Sequence, residues 1–100
     1  MFRLAALVAF ACLVFVGQAQ AVSFCMNDGS KAIYGSHHAY RYQRNGAEFA
    51  GRWSGSPKVG GAVHVRFPNG AARRDHFIKQ GGTTYLVNLS GQQYPGHFCR

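Results

Sequence analysis

Acidic residues are nearly absent from this chain. Of 100 residues only Asp28, Glu48 and Asp75 are acidic, against eleven Lys or Arg, and the formal net charge is +8. So lopsided a balance excludes roles that require an acidic surface, such as capping a basic enzyme, and sets the sign of any charged partner as negative. Sustained apolar repeats at helical spacing are also missing, and 13 residues are glycine, which argues against long helices. Without a basic amphipathic helix, the membrane-active peptide class loses its usual device. Cysteine is scarce, three in all, with no Cys-x-x-Cys pair, so zinc-finger spacing is excluded. No Gly-rich phosphate loop, no Gly-x-Ser-x-Gly elbow and no family signature is legible. Nothing in the sequence implies a cofactor.

What is present begins with a leader. Met1-Phe2-Arg3 is a short basic start, Leu4 to Val16 is a continuous apolar run, and Gln18-Ala19-Gln20-Ala21 supplies an Ala-x-Ala cleavage site. This layout predicts a secretory signal peptide over residues 1–21, cut before Val22. The run falls short of the ~20 residues needed to span a bilayer, and no second one follows, so no transmembrane segment is expected after cleavage. The mature chain, 22–100, is then one small domain, and loss of Arg3 takes the net charge from +8 to +7. The expected location is secreted or periplasmic.

Cys12 leaves with the leader, and Cys25 and Cys99 remain near the two ends. In an oxidising compartment such a pair predicts one disulfide. Closing a loop of about 75 residues is worth roughly 4 kcal/mol in chain-entropy terms. The alternative, a metal pair, would have only His97 near Cys99 to help.

Asn45-Gly46 is the strongest local signal, a two-residue type I′ hairpin turn. It pairs Arg44 with Ala47, Gln43 with Glu48, Tyr42 with Phe49, and Arg41 with Ala50. Alternation then sends Tyr40, Tyr42, Phe49 and Trp53 to one face and Arg41, Gln43, Glu48 and Arg52 to the other. The aromatic set is expected in the core, with a stacking platform for bases or sugars as the rival reading. Further strands are predicted at 22–24, leading into Cys25, at 31–34, 62–67, 71–79 and 84–89, with residues 92–100 as a tail of Gly, Pro and aromatics tied down by Cys99. The fold class is therefore mostly β: a small antiparallel sheet curled into a sandwich or barrel and closed by one disulfide.

The Pro68-Asn69-Gly70 turn sets a second hairpin whose faces separate less well. Val63, Val65 and Phe67 share a face with Arg73, Asp75 and Phe77, and His64, Arg66, Arg74, His76 and Ile78 share the other; a register shifted by one would instead put His64 opposite Asp75, and separates the faces no better. Either both faces are partly covered, as in a small barrel, or the strand over 71–79 carries a bulge that re-aims its side chains.

His64, Arg66, Arg74 and His76 form the candidate anion-binding set, since arginine grips phosphate or carboxylate in a bidentate fork; the plainer reading is a solvated strand face. A metal-free nuclease would add Glu48 as base to His64 or His76 and Arg66 or Arg74. His37-His38 is a possible ligand pair for a metal, although neighbouring strand residues point apart. Asn88-Leu89-Ser90 is a glycosylation sequon in a eukaryotic host. The expected function is non-catalytic binding of an anionic partner (an envelope polymer, nucleic acid or other anionic polymer, a lipid headgroup, or an acidic protein surface), with a small basic secreted nuclease as the alternative.

Overall fold

Asn45 and Gly46 both adopt positive φ, 51° and 79°, as a type I′ turn requires. The register is the one the turn implies: Arg44 faces Ala47, Gln43 faces Glu48, Tyr42 faces Phe49 and Arg41 faces Ala50. The computed structural model describes residues 21–99. Residues 1–20, all but the last residue of the expected signal peptide, and Arg100 lie outside the described residues.

Eight strands follow one another: β1 (Val22–Met26), β2 (Lys31–Tyr34), β3 (Ala39–Arg44), β4 (Ala47–Gly55), β5 (Ala62–Arg66), β6 (Ala72–Gln80), β7 (Thr83–Asn88) and β8 (Gln93–Cys99). Each pairs antiparallel with the next, and β8 returns to pair with β1, so the sheet is a closed barrel. Closure removes most of the free sheet edge that could template aggregation. Among the described residues the one helical element is a 3₁₀ turn over Ser36–His38.

Strand alternation fills the barrel. Phe24, Met26, Ala32, Tyr34, Tyr40, Val63, Val65, Phe77 and Leu86 form one buried cluster. Phe24 sits 5.4 Å from Phe77 and 5.1 Å from Phe98, ring centre to ring centre. Each large side chain so buried contributes about 1.5–3 kcal/mol relative to exposure.

The last strand corrects the expected tail. Residues 93–99 pair with β7 on one side and β1 on the other, despite Pro95 and Gly96. Proline is tolerated because β1 pairing stops at Met26 opposite Gly96; Pro95, which has no N–H to give, only accepts a bond there, from the Asn27 amide at 2.8 Å. Gly96 faces inward, where a Cβ would collide with the Cys25 carbonyl and come within 2.9 Å of the Phe24 ring. Its missing side chain is what lets β1 close onto β8. Likewise β1 runs through Cys25 to Met26 rather than ending at Phe24.

Cys25 and Cys99 form the expected disulfide, with Cα atoms 5.9 Å apart. Out of phase with inward Phe24 and Phe98, they staple the β1–β8 seam on its outer side.

The second hairpin keeps a continuous register, Val63 opposite Asp75, His64 opposite Arg74 and Val65 opposite Arg73. No bulge interrupts it; its faces read poorly because Arg73 and Asp75 point into the barrel. The first hairpin departs from expectation at one residue. Tyr40 is buried and Tyr42 and Trp53 pack on the core, but Phe49 is 52% exposed. Pairing of β4 with β5 begins only at Arg52, so residues 47–50 project beyond the body of the barrel. There the Phe49 ring meets Tyr42 at 6.4 Å.

Candidate anion-binding face and barrel mouth

Inward Val63 and Val65 force His64 and Arg66 outward, and inward Arg73, Asp75 and Phe77 do the same for Arg74 and His76. All four are exposed. The register seats His64 directly opposite Arg74, while His76 stands opposite Ala62 at the far end of the same pair of strands. A fifth residue joins them. Arg52, expected on the polar face of the first hairpin, is the cross-strand partner of Arg66, and Ser54 is that of His64. The sequence carried no register signal for this, because the loop between β4 and β5 is long and irregular.

Like charges directly opposite on a sheet destabilise it, and among the described residues no ion pair offsets Arg52 against Arg66. The three acidic side chains are all engaged elsewhere. Asp28 accepts from the Ser30 amide at 2.9 Å, a bond that holds its carboxyl below the usual range. Glu48 accepts from Gln43 Nε2 at 3.0 Å and lies 3.6 Å from Arg41, so the carboxylate a nuclease would need is occupied on the first hairpin. Asp75 is inside the barrel. Beside the basic face runs a groove of about 710 Å³, whose walls include Arg52, His64 and Arg66 together with Trp53 and Phe67.

At the upper end of that groove, His37 and His38 both take left-handed backbone angles. His38 Nδ1 lies 3.0 Å from the Trp53 carbonyl, and the two rings are 5.8 Å apart. Trp53 Nε1 donates to the Gly35 carbonyl at 2.9 Å. These contacts tie the β2–β3 loop to β4. Among the described residues, no three His, Cys, Asp or Glu side chains gather as a metal site. The sequon asparagine, Asn88, is not mid-strand but ends β7, where its side chain caps the turn to Gln92.

The interior holds a second polar constellation that the sequence signalled only through the spacing Arg73-x-Asp75 on an otherwise apolar face. Arg73 Nη2 donates to Asp75 Oδ1 at 3.0 Å. Nε lies 2.9 Å from Oδ2, close enough for ion pairing but off the line of a hydrogen bond. The guanidinium lies 5.5 Å over the Tyr42 ring. Asp75 is 0% exposed, and the Arg73 side chain keeps 28%. Burial pushes the Asp75 carboxyl up despite Arg73, whereas at Arg73 the pull of burial is outweighed by Asp75, which raises the guanidinium further. Tyr34 and Tyr40 point into the same interior, and their hydroxyls have no hydrogen-bond partner. Burial raises both well above the ordinary tyrosine value of 10.0.

Arg73 also floors a cavity of about 440 Å³ at the end of the barrel that carries the Asn45–Gly46 turn. Tyr42, Phe67, Tyr94 and Met26 wall it, and Arg44, Arg74 and Leu89 stand at its rim.

Comparison with known protein families, with curated proteins and with solved structures gives no match, so geometry alone bears on function. Among the described residues, no helix is long and apolar enough to cross a membrane.

Proposed function

We propose that this is an exported binding protein that holds an anionic polymer against the outer face of β4, β5 and β6 through Arg52, His64, Arg66, Arg74 and His76. The observation that supports it is the uncompensated cross-strand pairing of Arg52 with Arg66 and of His64 with Arg74. A sheet that keeps like charges opposed, with every acidic side chain committed elsewhere, gains when an anion bridges them. The adjacent groove with Trp53 and Phe67 offers apolar surface for the polymer's non-ionic parts. An oxidised Cys25–Cys99 pair and the leader sequence accord with action outside the cytoplasm.

Heparin and single-stranded RNA serve as probes. Affinity should fall steeply with salt as counterions are released. Arg52→Ala with Arg66→Ala should weaken binding and flatten the logarithmic salt slope by about two. Arg41→Ala with Lys58→Ala, equal in charge but off the face, should do less. Equal losses for the two pairs of cations would leave only diffuse attraction by net charge and remove the site.

A further inference from the structure

Arg73 is held in a way the fold does not need. A buried ion pair is commonly no better for stability than apolar side chains of the same volume, yet here one occupies the centre of a small core. Its geometry suits another purpose. Nε and Nη2 face Asp75, Tyr42 supports the flat face of the guanidinium, and Nη1 has no acceptor among the described residues. An arginine clamped between a fully buried carboxylate and an aromatic ring has already lost the rotamer freedom that a surface arginine loses on binding. Arg73 lines the mouth as well as the groove, so a ligand seated in the mouth can reach its free edge.

The mouth has the matching chemistry. Asp75 cancels one charge, but Arg44 and Arg74 at the rim add two more, so the opening is net positive. Tyr42, Phe67 and Tyr94 are among its walls and pack against the core. A volume of about 440 Å³ lies within the range of small-molecule sites, and barrel mouths are a common place for them. A bare inorganic ion would leave the aromatic walls unused. Leu89, 80% exposed at the rim, continues the apolar lining outward.

We propose that the barrel mouth binds a small amphiphilic organic anion, with its carboxylate or phosphate on the free edge of Arg73 and its apolar body against Tyr42, Phe67 and Tyr94. The head-group contact on Arg73 differs from the polymer contacts at Arg52 and Arg66, although Arg74 belongs to both sites and Phe67 and Arg73 line both the groove and the mouth.

Octanoate and octyl phosphate are the probes, with acetate (charge without body) and 1-octanol (body without charge) as comparisons. Titration of the mature, oxidised chain should saturate at one octanoate per protein, with octanol at least about tenfold weaker for want of the charge-assisted hydrogen bond and acetate at least about tenfold weaker for want of buried apolar surface. Comparing octanoate with octyl phosphate identifies the preferred head group. In ¹⁵N-labelled protein the Arg73 Nε–H signal and neighbours in Tyr42 and Tyr94 should shift on titration. Arg73→Met with Asp75→Leu replaces the pair by apolar groups of similar size and should lose octanoate at least about tenfold, the same contact being removed. Arg52→Ala with Arg66→Ala should leave octanoate unchanged while weakening heparin, so the two sites fail separately. Octanoate binding no tighter than acetate or octanol, or shifts confined to the outer face, would overturn the proposal. So would undiminished binding by the Arg73/Asp75 double variant. Should that variant not fold, the shift map of the unaltered protein decides.

Discussion

Removing Arg73 and removing Asp75 should not cost the same, although they are partners. Arg73→Met leaves a carboxylate with no exposure and no counter-charge. Unpairing a buried ion costs about 3–5 kcal/mol. Asp75→Leu leaves a guanidinium with 28% of its side chain in solvent, which can turn toward water, so the loss should be nearer about 1–2 kcal/mol once screened. Replacing both, Arg73→Met with Asp75→Leu, should restore most of the stability, because two apolar side chains fill the volume with no ion to desolvate. Urea unfolding followed by Trp53 fluorescence reads all three. The single tryptophan packs on the core and reports the barrel directly. With a slope of about 1–2 kcal/mol/M for a domain of this size, Arg73→Met should lower the midpoint by about 2 M or more. The pH dependence supplies the sign. In Arg73→Met the lone Asp75 binds its proton more tightly folded than unfolded, so stability is greatest below the unfolded value of 3.8 and is lost as pH rises through the raised folded value. The deficit should therefore shrink on acidification, and the deficit of Asp75→Leu should not. Two single variants with equal costs, adding in the double variant and indifferent to pH, would refute the account of a coupled buried pair.

Two further outcomes follow from the same interior and its seam. Tyr34 and Tyr40 have folded values raised above 10.0, so their contribution is intact below that pH and lost above it. Stability should fall by about 1.4 kcal/mol per tyrosine per pH unit beyond about pH 10, and Tyr34→Phe should halve that slope in thermal melts at a series of alkaline pH values. Reduction of Cys25–Cys99, 74 residues apart in sequence, should cost about 4 kcal/mol. Intact mass should show two hydrogens fewer than the reduced chain, and two free thiols in protein from its native compartment would contradict the seam staple.

Local chemistry determined a good deal of this molecule. Asn45-Gly46 dictates its own turn, and with it six cross-strand pairs, because positive φ at two successive positions is a property of those residues and of nothing distant. Pro68-Asn69-Gly70 marked the turn between β5 and β6 but left a one-residue shift open, so the face shared by His64, Arg66, Arg74 and His76 was fixed only by the observed register. The cysteine pair followed from count and position. What adjoins across long loops was decided only in three dimensions. Arg52 meets Arg66 because β4 closes against β5, and no residue in the intervening loop encodes that register. Residues 93–99 become a strand because β1 and β7 each offer a free edge, and Gly96 permits the close approach; in isolation their composition reads as coil. Phe49 is exposed because β4 outruns its next neighbour, although its alternation is that of a core residue. Arg73 and Asp75 are inside for the most collective reason of all. Alternation assigned them to the apolar face, but a curved, closed barrel was needed to bring Tyr42 under the guanidinium and shut water from the carboxylate, and so to turn a charge pair in a strand into the floor of a cavity.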